Sequence, residues 1–162
     1  MELGVKTKDE KRVHPNSLAR DCSLQFLYQC EVEKLFHFSE GHFSFFVNSF
    51  DVSLEVVGLM RKFISGVFDA LPQLNETIEQ HSRNWSLVRM PTTDRCVLRV
   101  ATYELLHTDA PTKVVINEAI ELAKKYGTAD SGSFVNAVLD KVSRHSLPVE
   151  GAKQQDLAAN SL

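Results

Sequence analysis

Between Thr92 and Val142 the apolar residues recur with the period of three successive amphipathic helices, separated by two short breaks. In the middle one, Ile116, Ala119, Ile120 and Ala123 share an apolar arc with Val115, Leu122 and Tyr126, while Asn117, Glu121, Lys124 and Lys125 fall opposite. Thr112 is placed to cap its start, and Gly127 stands where a left-handed stop favours a residue without a Cβ. The helix before it opens at Thr92 or Thr93, with Asp94 near the positive end of its dipole. Val97, Leu98, Ala101 and Leu105 line one side of that helix, flanked by Val100 and Tyr103, and Arg95, Arg99 and Thr102 form a short polar stripe. Glu104 falls among apolar neighbours, where a carboxylate needs a partner or titrates upward. The third helix follows a polar turn and is capped by Asp130 or Ser131. Its Phe134, Val135, Val138, Leu139 and Val142 point inward, and Asn136, Asp140 and Lys141 outward.

Upstream, Pro15, Asn16 and Ser17 open a helix that runs to about Val32. Its inner face is Leu18, Ala19, Cys22, Ser23, Phe26, Leu27 and Cys30, and a second stripe runs through Arg20, Leu24 and Tyr28. That second stripe either packs beneath the following loop or meets a partner protein. Phe36, Phe38, Phe43, Phe45, Phe46 and Phe50 surround Gly41 in a segment that reads as a loop and short helix, serving as core filler or as an oligomer contact. Ser53 to Leu71 is helical, with Leu54, Val57, Phe63, Ile64 and Val67 on a wide face and Gly58 and Gly66 allowing close helix approach. Pro72 ends that pattern or begins the next, which Leu74, Ile78 and His81 carry towards Trp85.

Composition narrows the picture. A chain of 162 residues, 43% hydrophobic and 24% charged, fits one globular domain over residues 15–145. Residues 1–14 are expected to be a flexible basic arm carrying Lys11 and Arg12, and 146–162 a disordered tail. No apolar run is long enough for a bilayer and the charged start lacks a signal peptide's apolar stretch, so a cytoplasmic protein with no membrane partner is expected. Three cysteines, an odd number, read as buried reduced thiols. A net charge of −3 does not advertise nucleic-acid binding, so any basic surface is local. The Arg95–Arg99 stripe is its best candidate, a solvated helix face being the alternative. No HExxH, CxxC, GxxxxGK[ST], GxGxxG or GxSxG occurs, and neither a metal, a cofactor nor a catalytic residue is expected.

The segments ARDCSLQFLYQ, VLRVATYELL, VVINEAIELAKKYG and SFVNAVLDK, in this order and spacing, resemble the NusB family of bacterial transcription antitermination factors. The resemblance implies an all-α fold, a helical bundle of about seven helices in two packed subdomains. It also implies a non-enzymatic, RNA-binding role. NusB pairs with the ribosomal protein NusE, binds single-stranded boxA RNA within an RNA polymerase antitermination complex, and promotes read-through in ribosomal RNA operons. Matched residue by residue, Arg20 and Arg99 fall at RNA-side arginines, and Asp130, Phe134 and Asn136 border the RNA path. Tyr28 falls at the tyrosine facing the ribosomal partner, with Asp94 near the same partner. Together with the patterning, RNA contact is expected of Lys11, Arg12, Arg20, Arg95, Arg99, Asp130, Phe134 and Asn136, and partner contact of Leu24, Tyr28 and Asp94. Two departures stand out. Asn16, Ser17 and Leu18 occupy places where the family carries arginines, and Ala137 replaces a glycine, adding a methyl group for the neighbouring helix to accommodate. A homodimer stays open, as does a helical protein-interaction module with little RNA affinity. The fold is also that of the RNA-targeting domain of ribosomal RNA cytosine methyltransferases, a reading weakened by the lack of a cofactor loop.

Overall fold

The first helix is started by a histidine. In the computed structural model, which describes residues 13–83 and 85–146, the His14 ring accepts a hydrogen bond from the Asn16 amide at 3.2 Å, and Pro15 takes the first helical position. The cap therefore falls ahead of Asn16 and Ser17, and Ser17 instead donates to Glu118 at 2.6 Å. From here the chain builds α1 (Pro15–Glu33), α2 (Glu40–Ser49), α3 (Leu54–Asp69), α4 (Leu71–His81), a 3-10 turn (Leu87–Arg89), α5 (Thr92–His107), α6 (Thr112–Tyr126) and α7 (Ser131–Ser146). Among the described residues these seven α-helices and one turn are the regular structure, and there is no strand. Lys11, Arg12 and nearly all of the expected arm and tail lie outside the described residues.

Helix α5 is the axle. It packs against α1 and α3 on one side and α4, α6 and α7 on the other. Ten of its residues are buried, Asp94 and Cys96 through Thr102 together with Glu104 and Leu105. A helix with neighbours on most of its sides has little solvated face, so the polar stripe seen in the sequence turns inward and must find partners. The apolar residues of both sides form one continuous core that includes Phe26, Met60, Ile64, Leu98, Ala123 and Leu139.

Several local expectations shift. Thr92 and Thr112 are first helical residues rather than caps; the carbonyls of Pro91 and Pro111 accept the first intrahelical bonds, from Arg95 and Val115. Gly127 has φ −94° and ψ −159°, extended rather than left-handed. Its missing side chain is a matter of space, since a Cβ there would lie 2.6 Å from the Ala123 carbonyl and against Ser131. Gly66 likewise admits the Tyr103 ring, whereas Gly58 faces open space. Ala137 is exposed, so its methyl group needs no accommodation. On α1 the buried face includes Arg20 and Leu24, while Leu18 is 40% exposed, because α1 is enclosed by α3 and α5 together. The phenylalanine-rich segment divides. Phe43 and Phe46 pack edge-on against Phe26 at 5.8 and 5.3 Å, and Phe36, Phe45 and Phe50 stay exposed.

Candidate nucleic-acid and partner interface

Three of the arginines expected to meet RNA are committed inside the protein. Arg20 donates through Nε and Nη2 to the two oxygens of Glu104, both at 2.8 Å, and both side chains are buried. Burial opposes the charge on Arg20, but the hydrogen bonds and charge of Glu104 outweigh it and hold the guanidinium above its ordinary value. Glu31 of α1 receives Arg95 at 2.8 Å and Arg99 at 2.7 Å, one on each oxygen. Arg95 also donates to the Leu87 and Met90 carbonyls, and Arg99 to Asn75, all at 2.9 Å. The expected outward stripe is thus an internal lock joining α1, α4, α5 and the 3-10 turn. The partner that Glu104 needed is an arginine on another helix.

The outer side of α1 carries a groove of about 620 Å³ lined by Leu24, Gln25, Tyr28, Val32, Phe46 and Phe50, with Thr93 and Tyr126 at its margin. Tyr28 is 45% exposed, and Val32 and Phe50 more so. Leu24, expected to touch a partner directly, is buried and forms the floor. The wall at Tyr126 is fixed by a clamp that the sequence did not announce. Asp21 accepts from Lys125 at 2.6 Å and from the Tyr126 hydroxyl and Gln25. Burial would raise the Asp21 carboxyl, but these hydrogen bonds prevail and hold it below its ordinary value.

Asp94 does not join this groove. It lies 3% exposed where α5 and α7 both begin, in a separate pocket with Trp85, Met90, Pro91, Ser131 and Phe134. Its helix position is as expected, but its side chain lines the pocket at the start of α7 and not Tyr28's groove. Burial pushes its carboxyl above the ordinary value, against the weaker pull of a hydrogen bond donated by Ser131. Asp130 and Asn136 are exposed and Phe134 half-buried, so these three of the expected residues do gather around the start of α7. Trp85 and Arg89, beside them, were missed; the sequence signal was a lone tryptophan in a polar stretch between helical patterns.

The cysteines carry no chemistry here. Cys22, Cys30 and Cys96 are free, and burial pushes the thiols of Cys30 and Cys96 up to about 12. Among the described residues no helix is long and apolar enough to cross a membrane, and no group of acidic, histidine and cysteine side chains is arranged to hold a metal.

Comparison with known proteins agrees with the four segments. The NusB family model matches residues 17–144. The transcription antitermination protein NusB of Anaeromyxobacter dehalogenans strain 2CP-1 is 50% identical over 129 residues, 77% of this chain and 87% of that one. The solved NusB of Thermotoga maritima superposes with a TM-score of 0.73 at 34% identity, covering 83% of this chain and 94% of its own. A structure of antitermination factors NusB and NusE in complex with double-stranded RNA matches at TM-score 0.71, over 80% of this chain and 96% of that one. Its 23% identity speaks for the fold alone. Seven helices with α5 at their centre, and a match running from the first turn of α1 to the last of α7, lead to one conclusion: the chain belongs to the NusB family.

Proposed function

We propose that this chain pairs through the Tyr28 groove with the ribosomal protein NusE, and that the pair binds single-stranded boxA RNA. On this reading it is a non-enzymatic cytoplasmic member of an RNA polymerase antitermination complex that promotes read-through in ribosomal RNA operons. The observation that carries it is the exposed apolar groove at Tyr28 in a chain of the NusB family, a concave site with Tyr28 and Phe50 as aromatic anchors. A structural relative of the same fold is a NusB solved together with NusE and double-stranded RNA, which is in keeping with a pairing of this kind.

The RNA side is reassigned. Arg20, Arg95 and Arg99 shape the helices from within, so direct contact falls to Asp130, Phe134 and Asn136 and to the arm with Lys11 and Arg12. Each phosphate neutralised on a single strand contributes about −0.7 to the slope of log affinity against log salt. So few basic groups give a shallow slope and weak binding without the partner. Titrating boxA-like and scrambled RNA, with and without NusE, tests this. A preference for boxA that strengthens with NusE is expected, and equal affinity for both RNAs in both conditions refutes it. Tyr28→Asp should abolish the gain from NusE while changing stability by no more than about 0.5 kcal/mol. A second reading, a protein-interaction module with little RNA affinity, is favoured by the burial of the three arginines; NusE capture with no RNA binding at low salt would establish it.

A further inference from the structure

The pocket where α5 and α7 begin has a volume of about 280 Å³; Asp130 and Phe134 on its lining belong to the RNA reading above, but Trp85 and Asp94 have no role in it. Trp85, the single tryptophan, is 48% exposed at its mouth. Its ring meets that of Phe134 at 6.4 Å and 63°, and the Arg89 guanidinium lies 5.8 Å from its centroid. Aromatic faces and guanidinium planes of this kind are what unstacked bases stack upon. At the other end of the pocket is Asp94, 97% removed from solvent by its 3% exposure, with Oδ1 lacking any hydrogen-bond donor. A buried carboxylate oxygen without a donor is costly, and a ligand that supplies one recovers that cost. A lysine or arginine side chain could supply the donor, but would leave the exposed Trp85 face uncovered. A flat heterocycle with an amino group on its edge satisfies both ends at once.

We propose that this pocket takes one unstacked base of a single-stranded RNA, stacked on Trp85 with its exocyclic amino group donating to Asp94. The assignment rests on the RNA-binding reading above and narrows it. Cytosine, adenine and guanine carry such a group and are accepted; uracil offers only its ring N3–H, flanked by two carbonyl oxygens that repel a carboxylate, and is the poorer donor to Asp94 Oδ1. Trp85 supplies affinity and Asp94 supplies choice.

Because Trp85 is the single tryptophan, its emission reports on its own pocket. The full chain is titrated at low salt with fluorescein-labelled oligo(C), oligo(A) and oligo(U) of equal length, reading RNA anisotropy and Trp85 emission together. The expected result is quenching by oligo(C) and oligo(A), with affinity for them about tenfold or more above that for oligo(U). Trp85→Ala should weaken oligo(C) binding by about 5- to 100-fold, and Trp85→Phe should retain most of it. Asp94→Asn, whose amide also donates and so admits the uracil carbonyl, should abolish the discrimination while keeping oligo(U) binding. Far-UV circular dichroism of each variant confirms its fold. Anisotropy that rises equally with all three RNAs and leaves Trp85 emission unchanged overturns the pocket and leaves the RNA-binding reading standing. No anisotropy change with any of the RNAs, alone or with NusE, removes both.

Discussion

Removing the Arg20 guanidinium would strand Glu104 where water does not reach it. Breaking such a buried pair from one side costs about 3–5 kcal/mol, while replacing both partners with apolar side chains of similar size costs far less. Urea denaturation should therefore show a large loss for Arg20→Ala and for Glu104→Ala, and a much smaller one for Arg20→Met combined with Glu104→Leu. If RNA affinity falls in Arg20→Ala while the urea midpoint holds, Arg20 works at the surface after all. Asp94 is the opposite case. Its folded carboxyl is raised above the ordinary value of 3.8, so the fold favours the protonated form. The stability this contributes is full below 3.8 and is lost as pH rises through the raised value. Asp94→Asn should be more stable than the parent at neutral pH, by about 1 kcal/mol, and the two should converge in acid. Equal midpoints at pH 7 would show that Asp94 has found a donor. Neither pairing was legible beforehand. Periodicity places Arg20, Arg99 and Asp94 correctly on their helices, but says nothing of a carboxylate 84 positions along the chain.

Among the elements, α1 ends in an uncommon way. Lys34 takes a left-handed conformation, φ 57° and ψ 38°, and its amide closes the helix on the Cys30 and Glu31 carbonyls. That place usually belongs to glycine, since a side chain there costs roughly 1 kcal/mol. Lys34→Gly should raise stability by about 0.5–1 kcal/mol in the same denaturation experiment; no gain would mean that the lysine stem is held by contacts worth as much. Element by element, the starts of α1, α6 and α7 and the ends of α1 and α6 were readable from proline, glycine and apolar spacing, whereas the ends of α4 at His81 and of α7 at Ser146 were not. The faces were less so. A wheel assumes that each helix has one dry side, which is true of α6 and untrue of α5, ten of whose sixteen residues its neighbours bury. Its basic stripe looked solvated for that reason. The groove beside Tyr28 was readable in part: Tyr28 stood out on its stripe, but the Tyr126 wall depends on Asp21 meeting Lys125 and Tyr126 across more than a hundred residues of chain.

At the scale of the molecule, the continuous core through α5 means that the two sides cannot come apart separately. Trp85 emission, which reports on the junction of α4, α5 and α7, and far-UV circular dichroism, which reports on all helices, should trace one coincident thermal transition. Two resolved transitions would show that α1–α3 and the later helices are distinct cooperative units. The axle also bears on how the chain is made. Synthesis delivers α1, α2, α3 and α4 first, yet Arg20 has no counter-ion until Glu104 is added, and Glu31 none until Arg95 and Arg99 follow. A nascent chain leaving the ribosome therefore holds two uncompensated charges beside its apolar faces until the fifth helix emerges. The lock between α1 and α5 is therefore among the last contacts that synthesis makes available.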